Sequence, residues 1–156
     1  MPVRIIREKG LSTVKGGGSL SVSSDGKTLT IEYPTSFRHM LSRPFAEQIP
    51  LPGVELPDQP DASAITFDVG GIRLEYYIEF VKRYDDETDL YNDYSDIYAF
   101  FGALGTLERV WLEVDELGWT GDNKKSVVVR QVDLEYRGGE ALIIRGRITL
   151  LGGQSL

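Results

Sequence analysis

Ile72-Arg73-Leu74-Glu75-Tyr76-Tyr77-Ile78-Glu79-Phe80 carries an apolar side chain at every second position, and by Leu90 the period has changed. Alternation puts one row of side chains on one face of a pleated strand. Leu90, Tyr94, Ile97, Tyr98, Phe101 and Leu104 then follow at helical spacing, as one face of an amphipathic helix. The pattern predicts a long strand within 65–84, with Gly70-Gly71 as a bulge ahead of the alternation, and a helix over 88–104. Thr88 or Asp86 is placed to cap that helix, Asp89 complements its dipole, and Gly102 and Gly105 are stop signals. Arg73, Glu75, Glu79 and Lys82 fall on other faces or at the strand's end. Val110, Leu112 and Val114 alternate again as a strand ending by Gly118.

Two hairpins flank this centre. Asp25-Gly26 is a dipeptide whose positive φ angles suit a tight two-residue turn. Ser24 then faces Lys27, Val22 faces Leu29, Leu20 faces Ile31 and Gly18 faces Tyr33, with Ser21, Ser23, Thr28 and Thr30 on the opposite face. A slip of one residue would exchange the two faces. Near the C-terminus, a loop of Arg137, Gly138 and Gly139 pairs Tyr136 with Glu140, Leu134 with Leu142, Val132 with Ile144, Arg130 with Gly146 and Val128 with Ile148. A loop of Gly138-Gly139 alone would set Leu134 against Ile143 and throw the apolar rows out of step. The opposite face carries Gln131, Asp133, Arg145 and Arg147.

Six of the seven prolines, Pro34, Pro44, Pro50, Pro52, Pro57 and Pro60, lie between 34 and 64. Each removes a backbone donor and restrains its predecessor to extended geometry. The stretch reads as an irregular arm with a short helical turn around Phe37 to Leu41. Arms of this length are usually functional or partner-bound, and Pro44, Pro50, Leu51, Pro52, Val54, Leu56 and Pro57 are its candidates for subunit contact. The expected whole is a single domain over 1–156. It comprises an N-terminal strand and hairpin at 1–33, the extended arm at 34–64, and a β-rich core at 65–156 with its helical insert. The fold class is mainly β with one α-helix, a β-sandwich or barrel-like domain with the helix packed at one side.

Composition narrows the function classes. The chain has 156 residues, 41% hydrophobic and 26% charged, enough for one domain with a real core. No apolar run approaches a membrane span, and Met1-Pro2-Val3-Arg4 lacks the apolar core of a secretion signal, so no membrane role is expected. A net charge of -7 argues against a main task of gripping phosphates and suits protein partners. Zero cysteines exclude disulfides, thiolate metal sites and Cys nucleophiles. His39 is the one histidine.

Five groups of residues invite chemistry. Asp85, Asp89, Asp93 and Asp96 are candidate ligands for a hard cation such as calcium, but EF-hand spacing is missing; the plainer reading is a solvated helix face. Lys15-Gly16-Gly17-Gly18-Ser19 puts its lysine before the glycines, the reverse of a P-loop. Ser36, His39 and Ser42 have no nucleophile elbow. Asp115, Glu116 and Asp122 around Trp119 have the layout of a glycosidase cleft, which a loop rich in acids also produces. Tyr76, Tyr91, Tyr94, Tyr98, Phe100 and Phe101 suggest a stacking platform for carbohydrate or bases, and at this spacing read more simply as core. No catalytic residue, metal or cofactor is assigned, and the chain is expected not to be an enzyme.

From residue 65 to 152 the order of elements resembles that of small structural proteins of viral tails, the tube and baseplate-type β-proteins that assemble in rings. The residues concerned are Ile65-Thr66-Phe67-Asp68-Val69-Gly70-Gly71 leading into a strand, then a helix, a strand, and a Gly-Gly hairpin ending Ile148-Thr149-Leu150-Leu151-Gly152. The first hairpin and the 34–64 arm carry no matching motif. The resemblance implies a structural tail subunit (tube, baseplate or tail-completion component) of the virion, assembled in the host cytoplasm. Its partners are copies of itself in a ring and neighbouring tail proteins, and an acidic channel would let genome DNA pass without sticking. The alternative is a non-catalytic β-sandwich module binding carbohydrate or calcium through segment 85–101.

Overall fold

The computed structural model describes residues 2–11, 13–15, 21–43, 45–50, 64–68, 72–105, 107–137 and 141–153. The chain forms two compact units, Met1–His39 with Glu75–Leu156, and Met40–Leu74. The strands are β1 (Val3–Arg7), β2 (Ser21–Val22), β3 (Thr28–Ile31), β4 (Ser36–Ser42), β5 (Phe45–Pro50), β6 (Ala64–Asp68), β7 (Arg73–Arg83), β8 (Val110–Val114), β9 (Lys125–Arg137) and β10 (Ile143–Gly152). The helix α1 (Glu87–Gly102) lies between β7 and β8. The main sheet runs β2-β3-β1-β8-β9-β10-β7-β4, antiparallel from β2 to β7 and open at its edges. The expected class, mainly β with one helix packed at one side, is what forms. In the second unit, β5 and β6 make a two-stranded antiparallel sheet in which Ile49 pairs with Ile65 and Pro50 with Ala64.

One face of the main sheet holds the core. Val3 and Ile5 align with Ile31 and Leu29 on one side and with Val114 and Leu112 on the other, and all six are buried. Tyr76, Ile78 and Phe80 align with Leu150, Ile148 and Gly146. The helix touches both β2 and β10, which have four strands between them. The sheet therefore coils around α1 without closing, using the right-handed twist of its strands.

Several expectations give way. The stretch 65–84 is two strands with different partners, β6 on β5 and β7 on β10. Residues 69–71, and with them the expected bulge at Gly70-Gly71, lie outside the described residues. Ile72 precedes β7 and is exposed, while Glu75 is buried, with the Tyr77 hydroxyl donating to it and Arg130 3.5 Å away. Phe37 to Leu41 belongs to β4, not to a helical turn. The irregular arm also loses 45–50 to β5. Pro44, Leu51, Pro52, Val54, Leu56 and Pro57 lie outside the described residues, and Pro50 ends β5.

Both hairpins carry lessons in register. Val22 pairs with Leu29 as expected, and Leu20 and Gly18 lie outside the described residues. The turn, however, is wider than two residues. The Ser23 N–H donates to Thr28, and the Gly26 N–H donates back to the Ser23 carbonyl. Of the dipeptide only Gly26 has positive φ, and the Asp25 carboxylate accepts the Lys27 N–H at 3.0 Å, a local bond typical of turn aspartates. At the other end, Arg137 pairs with Ile143, Leu134 with Gly146 and Val132 with Ile148, so the loop is 138–142, not 137–139. The slip of four residues keeps every face but sets Gly146 between Leu134 and Phe80. A Cβ on Gly146 would lie 2.3 Å from the buried Phe80 ring, so the glycine makes room for the aromatic. A bulge between Thr149 and Leu150 then changes the parity of β9, so that Val127 and Val129 share the inner face with Val132, Leu134 and Tyr136.

The helix is rotated relative to the expected stripe. Its buried side is Leu90, Asp93, Asp96, Ile97 and Phe100, while Tyr98 is 68% exposed. The aspartates are accepted inside because each has a donor. The Tyr84 hydroxyl donates to Asp93, and the Lys15 N–H donates to Asp96 at 2.8 Å. Burial, reinforced by Asp93, pushes the Tyr84 hydroxyl far above its ordinary range, so it remains a donor. Asp86 caps the first turn by accepting the Thr88 N–H.

The last turn has no basic residue of its own, and Arg7 of β1 supplies the cation. Its Nη1 donates to the Phe100 carbonyl at 2.9 Å and its Nη2 to Ala103 at 3.0 Å. The same guanidinium grips Glu108 through Nε at 3.1 Å and Nη2 at 3.0 Å. Glu108 also accepts the N–H groups of Lys9 and Gly105. Burial by itself pushes the Glu108 carboxyl up, but the bonds from Arg7, Gly105 and Lys9 outweigh it and hold the group below the usual glutamate range.

Two outcomes follow from this pair. Arg7→Met leaves Glu108 charged, buried and unpaired, at a cost of about 3–5 kcal/mol, whereas Arg7→Met with Glu108→Leu restores most of the loss. Urea denaturation of wild type, single and double variants checks it, and an undiminished loss in the double variant contradicts it. Because the folded carboxyl is depressed, its stabilising contribution is complete above the ordinary glutamate value and is lost as pH falls through the lowered one. Glu108→Gln should therefore flatten the acid limb of a plot of denaturation midpoint against pH, and an unchanged limb would refute this.

Candidate assembly groove

The helix covers the inner rows of the sheet unevenly. On β10, Ile144, Ile148 and Leu150 are buried; on β9, Val129, Val132 and Leu134 are only half-buried and Tyr136 is exposed. Beside the buried stripe of α1 runs a second one, Tyr91, Tyr94, Tyr98 and Phe101, at spacings of three, four and three. These two incompletely covered rows face each other across a groove of about 510 Å³, walled by Tyr94, Ile97, Tyr98 and Phe101 on one side and Val129 to Leu134 on the other. A second hollow of about 480 Å³, lined by Glu87, Leu90, Tyr91, Tyr94 and Tyr136, shares Tyr94 with the first. Tyr94 and Tyr136 meet edge to face, with centroids 6.4 Å apart, where the two hollows join.

The rim is mixed in charge. Lys15 stands over the Tyr91 ring at 4.1 Å and donates to its hydroxyl at 3.0 Å. That hydrogen bond, with the ammonium charge, holds the Tyr91 hydroxyl below its ordinary range. Arg130 on β9 is half exposed, and Asp133 accepts from the Gln131 amide at 3.2 Å. Flat aromatic faces with hydroxyl edges above an aliphatic floor suit apolar rings and extended chain better than they suit proton transfer.

The chemistry-bearing residues of the sequence fall elsewhere. Asp85 is exposed and Asp89 half exposed, whereas Asp93 and Asp96 are buried acceptors, which corrects the solvated-face reading of the tract. Among the described residues no three His, Asp or Glu side chains gather as a cation site. His39 lies on the opposite face of β4 from Ser36 and Ser42, by the two-residue period of a strand. It stacks on Tyr76 at 4.7 Å and meets Trp119 edge to face at 5.3 Å. Asp115 is bound by Arg4, whose hydrogen bonds hold that carboxyl below the usual range, and Arg4 also reaches Glu113 at 2.9 Å. Asp122 lies in a separate 3-10 turn, Gly121–Asn123. Lys15 is bound through Asp96, and 16–19 lie outside the described residues.

The aromatic set divides: Tyr76 and Phe100 are core, Tyr91 and Tyr98 are exposed, and Tyr94 and Phe101 lie between. The uniform core reading is thus corrected. Sequence reasoning missed the β9 wall and Tyr136, although the 91-94-98-101 spacing was itself a second helical stripe. No family model and no curated protein matches the sequence. No helix among the described residues is long and apolar enough to cross a membrane.

If the tyrosines form a surface and not a core, Tyr98→Ser and Tyr136→Ser should each shift stability by no more than about 0.5 kcal/mol. Phe100→Ala, one position round the helix from Phe101, should cost about 3–5 kcal/mol. Urea titrations separate the two classes, and a large loss at Tyr98 or Tyr136 would show the groove to be core.

Proposed function

We propose that this chain is a structural, non-catalytic subunit that joins copies of itself and neighbouring tail proteins into the rings of a viral tail. Tube, baseplate and tail-completion component are the stations this covers, in a virion assembled in the host cytoplasm. The observation that carries the reading is the tyrosine groove. Tyr91, Tyr98 and Tyr136 are 60%, 68% and 52% exposed and run together above an apolar floor. Contiguous exposed aromatic surface of this kind marks interaction sites, and tyrosine is enriched in protein interfaces.

Two further features support it. Two carboxylates that invited chemistry are engaged with the fold, Asp115 of the glycosidase-like layout by Arg4 and Asp96 of the cation candidates by the Lys15 N–H. The groove lies between β9 and the one α-helix among the described residues, on one flank of the main sheet, which suits the unlike left and right contacts of a ring. Where such a ring encloses a channel, a net charge of -7 favours repulsion of DNA phosphates and free passage of the genome.

A second reading draws on the same tyrosines. Four exposed or half-exposed rings within 85–101, three of them tyrosines, offer a stacking surface for carbohydrate. Sizing chromatography and negative-stain imaging across a concentration series decide between the two. Rings or tubes that grow with concentration support the assembly reading. A monomer at every concentration overturns it, and a monomer that also releases heat with oligosaccharides favours the binding module.

A further inference from the structure

We propose that the tyrosine groove between α1 and β9 receives residues 50–57 of a neighbouring copy of this chain, an inference that rests on the assembly reading above. The groove needs a ligand that fills flat aromatic walls without demanding buried hydrogen bonds. Its floor is Val129, Val132 and Leu134, with Tyr98 exposed beside it and Tyr136 exposed in the adjoining hollow. Proline-rich chain suits such walls: its rings pack on aromatic faces, it lacks donors at each proline, and it loses little entropy when held extended.

The chain itself contains that ligand. Pro50-Leu51-Pro52-Gly53-Val54-Glu55-Leu56-Pro57 has three prolines and three aliphatic side chains within eight residues. Pro50 ends β5 opposite Ala64 at the start of β6, so the 13 residues 51–63 leave and return at one end of that hairpin. At about 3.1–3.4 Å per residue, half of a chain of that length can span at most roughly 20 Å, a distance sufficient to bridge two molecules.

Charge agrees with this choice. Between Arg43 and Arg73 the sequence has no Lys, Arg or His, and Glu55 and Asp58 fall within and just after the proline run. The groove offers Lys15, 4.1 Å above the Tyr91 ring; Arg130 on the opposite wall is half exposed but lies 3.5 Å from the Glu75 carboxylate, which leaves Lys15 as the cation at this end. Of the acids lining the hollows, Asp133 is engaged by Gln131, and Glu87 sits at the far end beside Tyr91.

The absence of cysteine makes the test direct, since an introduced thiol is the only one in its chain. Equal amounts of Tyr98→Cys and Val54→Cys proteins, mixed under mild oxidation, should give a disulfide-linked dimer that neither gives in equal amount alone. Tyr98→Ser with Tyr136→Ser should raise the concentration midpoint of assembly by at least about tenfold. Pro52→Ser with Pro57→Ser, which leaves the groove untouched, should do the same. Denaturation curves confirm that the variants fold. Assembly that persists with no mixed disulfide and no change in midpoint overturns the groove assignment and leaves the assembly reading standing. A disulfide formed only within a Tyr98→Cys/Val54→Cys chain overturns it by placing the segment in its own groove. A wild-type chain that never associates overturns both.

Discussion

The guanidinium of Arg7 joins three parts of the chain: the first strand, the end of the only α-helix among the described residues, and the connection from that helix to β8. A buried arginine is tolerable only when its charge and its donors are both answered. Glu108 answers the charge and two of the donors, and the carbonyls of Phe100 and Ala103 accept two more. Those carbonyls would otherwise be unsatisfied at a helix terminus that carries no cation of its own. The pair fixes the C-terminal end of the helix to the sheet, while Tyr84 and the Lys15 backbone fix its middle through Asp93 and Asp96. With those points held, the rotation of the helix is settled. The stripe containing Leu90 and Ile97 must face inward, and the tyrosine stripe is left to one side.

The opposite wall of the groove depends on two backbone devices. Gly146 leaves room for the tip of the Phe80 ring against β10, in a closing hairpin whose register lies four residues from the simplest pairing. The bulge near Leu150 then realigns β9 so that Val127 and Val129 continue the inner row begun by Tyr136, Leu134 and Val132. Without the parity change, half of that row would point outward, and no continuous apolar wall would oppose the helix. The groove is thus a product of uneven coverage: one helix shields β10 and reaches β2, and β9 between them is only half covered.

Much of this was legible in residue order. Periods of two and of three-to-four separated strand from helix, and the Val22–Leu29 register followed from matching apolar rows. What escaped had physical causes. Asp93 and Asp96 look solvated in sequence because their donors, Tyr84 and the Lys15 N–H, come from other segments. The closing hairpin was misread because apolar matching between two strands is blind to a shift of four, and the deciding contact, Phe80 on Gly146, belongs to a third strand. The prolines of 34–64 suggested irregular chain throughout, yet the runs between them, Ser36–Ser42 and Phe45–Pro50, are long enough to pair as strands. The groove was invisible because it needs two stripes, and each by itself reads as core.

The first strand sits between β3 and β8, so one of its flanks has a local partner and the other a distant one. Arg7 and Glu108 are 101 residues apart in sequence. During synthesis at about 5–20 residues per second, the early hairpin waits roughly 5–20 s with an unpaired edge before β8 emerges. Non-local closure of this kind comes late because loop entropy must be overcome first. The tyrosine stripe is therefore not held in place until Glu108 has been made and has met Arg7. A chain built this way completes the groove only when a contact spanning 101 residues closes, so the wall is set by the slowest kind of pairing in the fold.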